Sequence, residues 1–173
     1  PADHQQAYKA TMAVAADEKP VYLRLARDKS PIFTTSRTPF KIGEADVYWR
    51  GGDVTLISCG PVLYEALMAA HMLKGKVSVE VINVHTIKPL DIKTIARSAK
   101  KTGCVVTLEE HQIHGGLGGA VAEGLAKEQP TPMEIIGVND RYGESGEPME
   151  LWEHFGMGPE NIIKHIEKVL KRK

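Results

Sequence analysis

The sequence predicts an α/β fold: a three-layer sandwich around a five-stranded, mostly parallel sheet with one antiparallel edge strand. Three observations support this. Short β-branched runs bounded by Gly, Pro or charge recur along the chain. Segments of helical periodicity separate them, and from residue 53 to 138 the order is strand, helix, strand, helix, strand, helix, strand. Such alternation implies right-handed crossovers and a sheet covered by helices on both faces.

The elements follow in chain order. Residues 1–19 read as a helix, with Ala7, Ala10 and Met12 to Ala16 apolar or small, leading into a strand VYLRLA at 21–26. The stretch SPIFTTSRTPFKIGEA that follows is rich in Pro, Thr and Ser and reads as a linker, centred on 37–50. DVTLISC at 53–59 is a strand; VLYEALMAAHMLK at 62–74 is a helix with Leu63, Leu67, Ala70 and Leu73 on one stripe, ending before Gly75. VSVEVINV at 77–84 is a strand, and Asp91 caps a helix IKTIARSAKK. GCVVTLEE at 103–110 is a strand, a helix opens at Gly118, Pro130 closes it, and MEIIGV at 133–138 is the last strand. A short helix with Leu151, Trp152 and Phe155 and a terminal amphipathic helix from Pro159 complete the chain. The trio Leu151, Trp152 and Phe155 suits either a core or an interface.

Composition narrows the function. Lys plus Arg and Asp plus Glu both number 22, so the formal charge is zero and gives no attraction to nucleic acid or an anionic membrane. A small molecule or a protein is the expected partner. Both cysteines, Cys59 and Cys104, sit in apolar runs and read as reduced buried thiols, which points to an intracellular, cytoplasmic chain. No apolar run is long enough to span a membrane. The first residue is Pro1 rather than Met, and the chain is expected to be a piece of a longer one.

The densest chemistry lies in EEHQIHGGLGGAV at 109–121. The glycine spacing fails the dinucleotide fingerprint G-x-G-x-x-G. His111 and His114 have no second pair of ligands at metal-binding spacing, so no metal site is read here. Two readings stay open: the glycines serve a tight strand-to-helix turn, or Glu109, Glu110, His111 and His114 line a ligand edge where helix-start N–H groups receive an anion. Arg24 and Arg27, at the end of VYLRLARDKSP, are either solvated or inter-domain charges, or guanidinium groups able to grip a phosphate or carboxylate.

Six segments in order, PADHQQAYKA, VYLRLARDKSP, ISCGPVLYEALMAAHML, VEVINVHTIKPLD, VVTLEEHQIHGGLGGAVAE and GVNDRYGESGEPMELWEHFGM, together resemble the C-terminal part of transketolases, including those split into two chains. The final domains of deoxyxylulose-phosphate synthase and of the beta subunits of 2-oxo acid dehydrogenases are similar; RYGESGEPMELWEHFG resembles transketolase most. The resemblance implies a transferase of the pentose phosphate pathway that moves a two-carbon ketol unit from a ketose phosphate to an aldose phosphate with thiamine diphosphate and Mg²⁺. It implies that residues 1–36 are the last helix and strand of a truncated pyrimidine-binding domain, 37–50 a linker and 51–173 the C-terminal domain. By the same resemblance Arg27 matches the arginine that binds the sugar phosphate, whereas Arg24 does not align with that position. Glu110, His111 and His114 become inter-domain or inter-subunit contacts, and no catalytic, cofactor-binding or metal-binding residue is expected in this piece. The implied partners are the missing diphosphate- and pyrimidine-binding domains or subunit, and a second copy in a homodimer. The piece alone is then expected to be inactive. Two other functions stand beside this one: a stand-alone nucleotide-binding or regulatory module using the 109–119 cluster, and a pure assembly domain.

Overall fold

The computed structural model describes residues 1–27 and 29–173, leaving Asp28 outside the description. The elements run α1 (His4–Ala15), β1 (Asp46–Trp49), β2 (Val54–Ser58), α2 (Leu63–Met72), β3 (Val79–Asn83), α3 (Ile92–Thr102), β4 (Val105–Gln112), α4 (Leu117–Glu128), β5 (Met133–Val138), α5 (Pro148–His154) and α6 (Pro159–Leu170). One five-stranded sheet has the order β1-β3-β2-β4-β5. The β2–β3, β2–β4 and β4–β5 pairs are parallel, and β1 joins β3 antiparallel through Asp46↔Asn83 and Val47↔Ile82. The predicted three-layer class with an antiparallel edge is therefore the observed one.

Parallel strands covered on both faces read as continuous apolar runs, and β2 and β3 are buried at every position. Leu56, Val81, Val106 and Leu108 point to one face, where Leu63 and Ala66 of α2 and Ile162 and Ile166 of α6 meet them. Ile57, Ile82 and Val105 point to the other, against Ile95 of α3 and Val121 and Leu125 of α4. Trp152 is 6 % exposed within the first of these clusters and Phe155 packs against it, so these two members of the apolar trio serve the core.

Two sequence readings differ from the structure. Residues 21–26 form no strand and are mostly exposed. The alternation in VYLRLA is real, but a strand exists only where a neighbour takes up its N–H and C=O groups, and none of the described residues pairs with it. The fifth strand is instead β1, inside the stretch read as a linker.

Four carboxylates staple the elements together. Asp91 caps α3 through Thr94 N at 3.1 Å and also accepts from Ala45 N at 3.0 Å, tying the entry of β1 to α3. Glu80 of β3 is bound by Lys101 and Ser98 of α3. Glu134 of β5 accepts from Lys168 at 2.7 Å and from Arg172, both at the end of the chain. Asp3 caps α1 through Gln6 N at 2.9 Å. For all four, burial pushes the carboxyl up but the hydrogen bonds and cations outweigh it, and each is held below its ordinary value. Because the folded values are depressed, this stabilisation is present above the ordinary carboxylate range and is lost as pH falls through it. The thermal midpoint should accordingly fall as pH drops from 6 to 3, and Asp91→Asn should flatten that slope in a pH series of melting curves.

Candidate functional site

The sheet order reverses between β2 and β4, because the chain leaves β2 toward β3 and leaves β4 toward β5. In open α/β sheets this is where the carboxyl ends of the strands part and ligands enter. Here the strand ends are followed by Cys59 and Gly60 after β2, and by Glu109–Gln112 at the end of β4 with the 113–116 turn after it.

Glu109 dominates that turn. It is 2 % exposed, and its carboxylate accepts from Leu117 N at 2.6 Å and from Gly118 N at 2.7 Å, one oxygen for each N–H. These are the unsatisfied donors at the start of α4, the groups that elsewhere receive phosphates. The chain supplies its own anion. The glycines follow from this closeness: a Cβ on Gly116 would lie 1.9 Å from Glu109 Oε2, and one on Gly118 would lie 2.5 Å from Ile135 Cγ2. Gly115 turns the backbone with φ +77°. Of the two readings open in the sequence, the strand-to-helix turn is the one that forms, and the helix-start anion site is filled from within. Burial pushes the Glu109 carboxyl above its ordinary value, against the pull of the two N–H bonds and of His111, whose Nδ1 is 4.0 Å away. Its pH dependence thus runs opposite to that of the four staples, with its contribution lost as pH rises. Next to it, burial and the Glu109 charge push the Cys59 thiol up to about 11, so it is no nucleophile at neutral pH.

The neighbours of Glu109 face outward. Glu110, His111 and His114 are exposed, and His111 Nδ1 lies 2.8 Å from the Gln112 carbonyl. Gln112 donates to the Arg141 carbonyl at 2.7 Å, and the Arg141 guanidinium lies 4.4 Å from the Phe155 ring centre, so the loop after β5 is tied to the same rim. Tyr142 on that loop is 96 % exposed.

The segment after α1 reaches this rim from the other side. Arg24 Nη2 approaches the Glu110 carbonyl at 3.5 Å. Arg27 lies three residues further on, at most roughly 10 Å of chain, and is exposed. The structure thus brings Arg24, Glu110 and His111 to one rim, with the exposed Arg27 three residues after Arg24. Among the described residues no group of three His, Cys, Asp or Glu is gathered as metal ligands, and no helix is long and apolar enough to cross a membrane.

Sequence reasoning passed over Asp3, Gln6 and Tyr48. Gln6 is 2 % exposed, its Oε1 accepts from Ala2 N at 2.8 Å and Asn83 Nδ2 at 3.1 Å, and its Nε2 donates to the Tyr48 hydroxyl at 3.2 Å. Burial pushes the Tyr48 phenol up to about 12, so it stays a neutral hydroxyl in this network. The spacing Asp3-x-x-Gln6 is a capping signature that would have drawn the eye to both α1 residues.

Comparison with known proteins accords with this architecture. Residues 43–162 match the family described as transketolase, C-terminal domain. A 6-deoxy-6-sulfo-D-fructose transketolase subunit of Clostridium sp. (strain MSTE9) is 40% identical over 174 residues, covering 100% of this chain and 54% of that protein. One of the apulose-4-phosphate transketolase subunits of Phocaeicola vulgatus is 34% identical, covering 99% of this chain and 55% of its own length. A solved structure, a split-gene transketolase described as an inactive beta4 tetramer, superposes with TM-score 0.94 at 38% identity over 99% of this chain and 56% of that one. The chain spans about half the length of these relatives.

Proposed function

This chain belongs to the transketolase C-terminal domain family, and from that premise we propose that it is the C-terminal section of a cytoplasmic transketolase, completed by sections that carry the diphosphate- and pyrimidine-binding domains. The whole enzyme moves a two-carbon ketol unit from a ketose to an aldose, each bearing a terminal anion. The observation that supports a substrate contact in this piece is the segment beside the rim: Arg24 Nη2 lies 3.5 Å from the Glu110 carbonyl, and Arg27, three residues on, is exposed. A guanidinium donates two parallel hydrogen bonds to a tetrahedral anion and suits a phosphate or a sulfonate equally. The names of the relatives include one of each, a sulfo-sugar and a sugar phosphate.

Thiamine diphosphate supplies the carbanion chemistry in such an enzyme. The residues of this chain do not fit it: the N–H groups at the start of α4 already bind Glu109, and no Mg²⁺ donor set is gathered among the described residues. We assign the cofactor to the completing sections. Their docking on this side covers exposed apolar side chains, Tyr8 and Met12 on α1 and Val21, Tyr22, Leu25 and Ile32 after it, exposed by between 44 % and 89 %. Glu110, His111 and His114 belong to the contacts at the rim, and the assembled enzyme is a homodimer of complete units. The filled helix start argues against a separate nucleotide-binding module.

The test is kinetic, in the enzyme assembled from this section and those that complete it. Arg27→Ala should raise KM for the phosphorylated or sulfonated ketose roughly ten- to hundredfold, the size of a lost hydrogen bond to a charged group, with kcat little changed. An unchanged KM for both anions removes Arg27 from the substrate site.

A further inference from the structure

We propose that Asp3 is a positioning residue for Arg27, fixing the far end of the span that carries it; this rests on the assignment of Arg27 to the substrate anion. Capping α1 requires one hydrogen bond, from Gln6 N to Asp3 Oδ1 at 2.9 Å. Asp3 accepts three more, all from the span. Thr34 Oγ1 donates to Oδ1 at 2.7 Å, and Phe33 N and Thr34 N donate to Oδ2 at 3.0 and 2.6 Å.

Asp3 is 4 % exposed and Thr34 is 5 % exposed, so these bonds are shielded from competing water. Lys9 of α1 reinforces them by donating to the Thr35 carbonyl at 2.7 Å and to the Thr38 carbonyl. At the near end, Arg24 meets Glu110 of the sheet rim. Residues 33–35 are therefore fastened to the domain body, Arg24 lies at the rim, and Arg27 falls between them in the chain. An anchor a few residues from a substrate contact narrows where that contact can sit, and a misplaced substrate contact is costly in catalysis. Asp3 touches no substrate in this scheme; it acts through Arg27.

Asp3→Ser separates the two duties. Serine caps a helix about as well as aspartate, but its single hydroxyl cannot accept all three bonds from the span. In the assembled enzyme, Asp3→Ser should raise KM for the phosphorylated ketose about tenfold with kcat within about twofold. KM for a ketose lacking the anion should stay unchanged, because the contact that Asp3 positions is not made there. Thr34→Val, which cuts one bond and leaves the helix cap intact, should give a smaller rise of the same kind.

If Arg27→Ala raises KM for the phosphorylated ketose and Asp3→Ser does not, the positioning role is wrong while the substrate assignment stands. If Arg27→Ala leaves KM unchanged, the substrate assignment falls and the positioning role with it. A rise in KM of equal size for ketoses with and without the anion would mark Asp3 as a general structural support, and would equally overturn the proposal.

Discussion

Glu109→Ala should destabilise the chain by about 3 kcal/mol, measured as a lower denaturation midpoint with an unchanged denaturant slope. The change removes a helix cap and leaves two buried N–H groups, of Leu117 and Gly118, without acceptors. Water cannot easily replace the carboxylate, because Gly116, Gly118 and His111 close around it. Glu109→Gln should cost less, about 2 kcal/mol: the amide oxygen keeps one bond, but its NH₂ must face the other N–H, donor against donor. Equal stability of Glu109→Ala and the parent chain would mean that the turn holds without its internal anion. The glycines around it would then need another explanation.

Gly51→Ala should be comparably damaging, for a steric reason. Gly51 lies where the chain turns from β1 back toward β2, against the start of β3. A Cβ there would lie 2.2 Å from Val79 C, 2.4 Å from Val79 O and 2.5 Å from Glu80 N. All three are backbone atoms, so no side-chain rotation relieves the overlap, and either the β1–β3 edge opens or β3 shifts. A shift of β3 would also carry Glu80 with it and loosen the bonds from Ser98 and Lys101 that tie α3 to the sheet. A loss of about 3 kcal/mol would lower the thermal midpoint by roughly 6–12 °C in a chain of this size. Gly52, the next residue and with open space around it, is the control: Gly52→Ala should shift the midpoint little.

The alternating β2–β5 unit was legible because each of its elements carries its own local pattern. The runs at β2, β3 and β4 are β-branched and apolar, Asp91 sits where α3 needs a cap, and Pro159 opens α6. What escaped reading depends on partners distant in the chain. DVYW is a strand only because Val81 to Asn83 lie beside it, and VYLRLA is not one because no described strand does. The function of Glu109 depends on a glycine turn that returns the chain to it eight and nine residues later, and no spacing rule encodes that contact. Asp3 shows the same limit more strongly. Its capping signature is local, but its bonds to Phe33 and Thr34 span some thirty residues of chain. The family resemblance was carried by six segments together; in the richest of them, at 109–121, Glu109 serves the turn itself, while the substrate contact was assigned to the plainer segment at 21–27.

The first turn of α1 has a consequence for where this protein can be divided. Gln6 bridges Asn83 at the end of β3 and Tyr48 of β1, and Ala2 is buried in the core beside them, yet the family match begins only at residue 43. A cut placed at that boundary would strip the polar plug from the end of the sheet. Asn83 and Tyr48 would keep only their bond to each other and lose those to Gln6, beside Ser58, whose hydroxyl already lacks a partner among the described residues. The segment recognised by descent is thus shorter than the segment that closes its own surface. Expression or grafting of this module should be planned on the longer one.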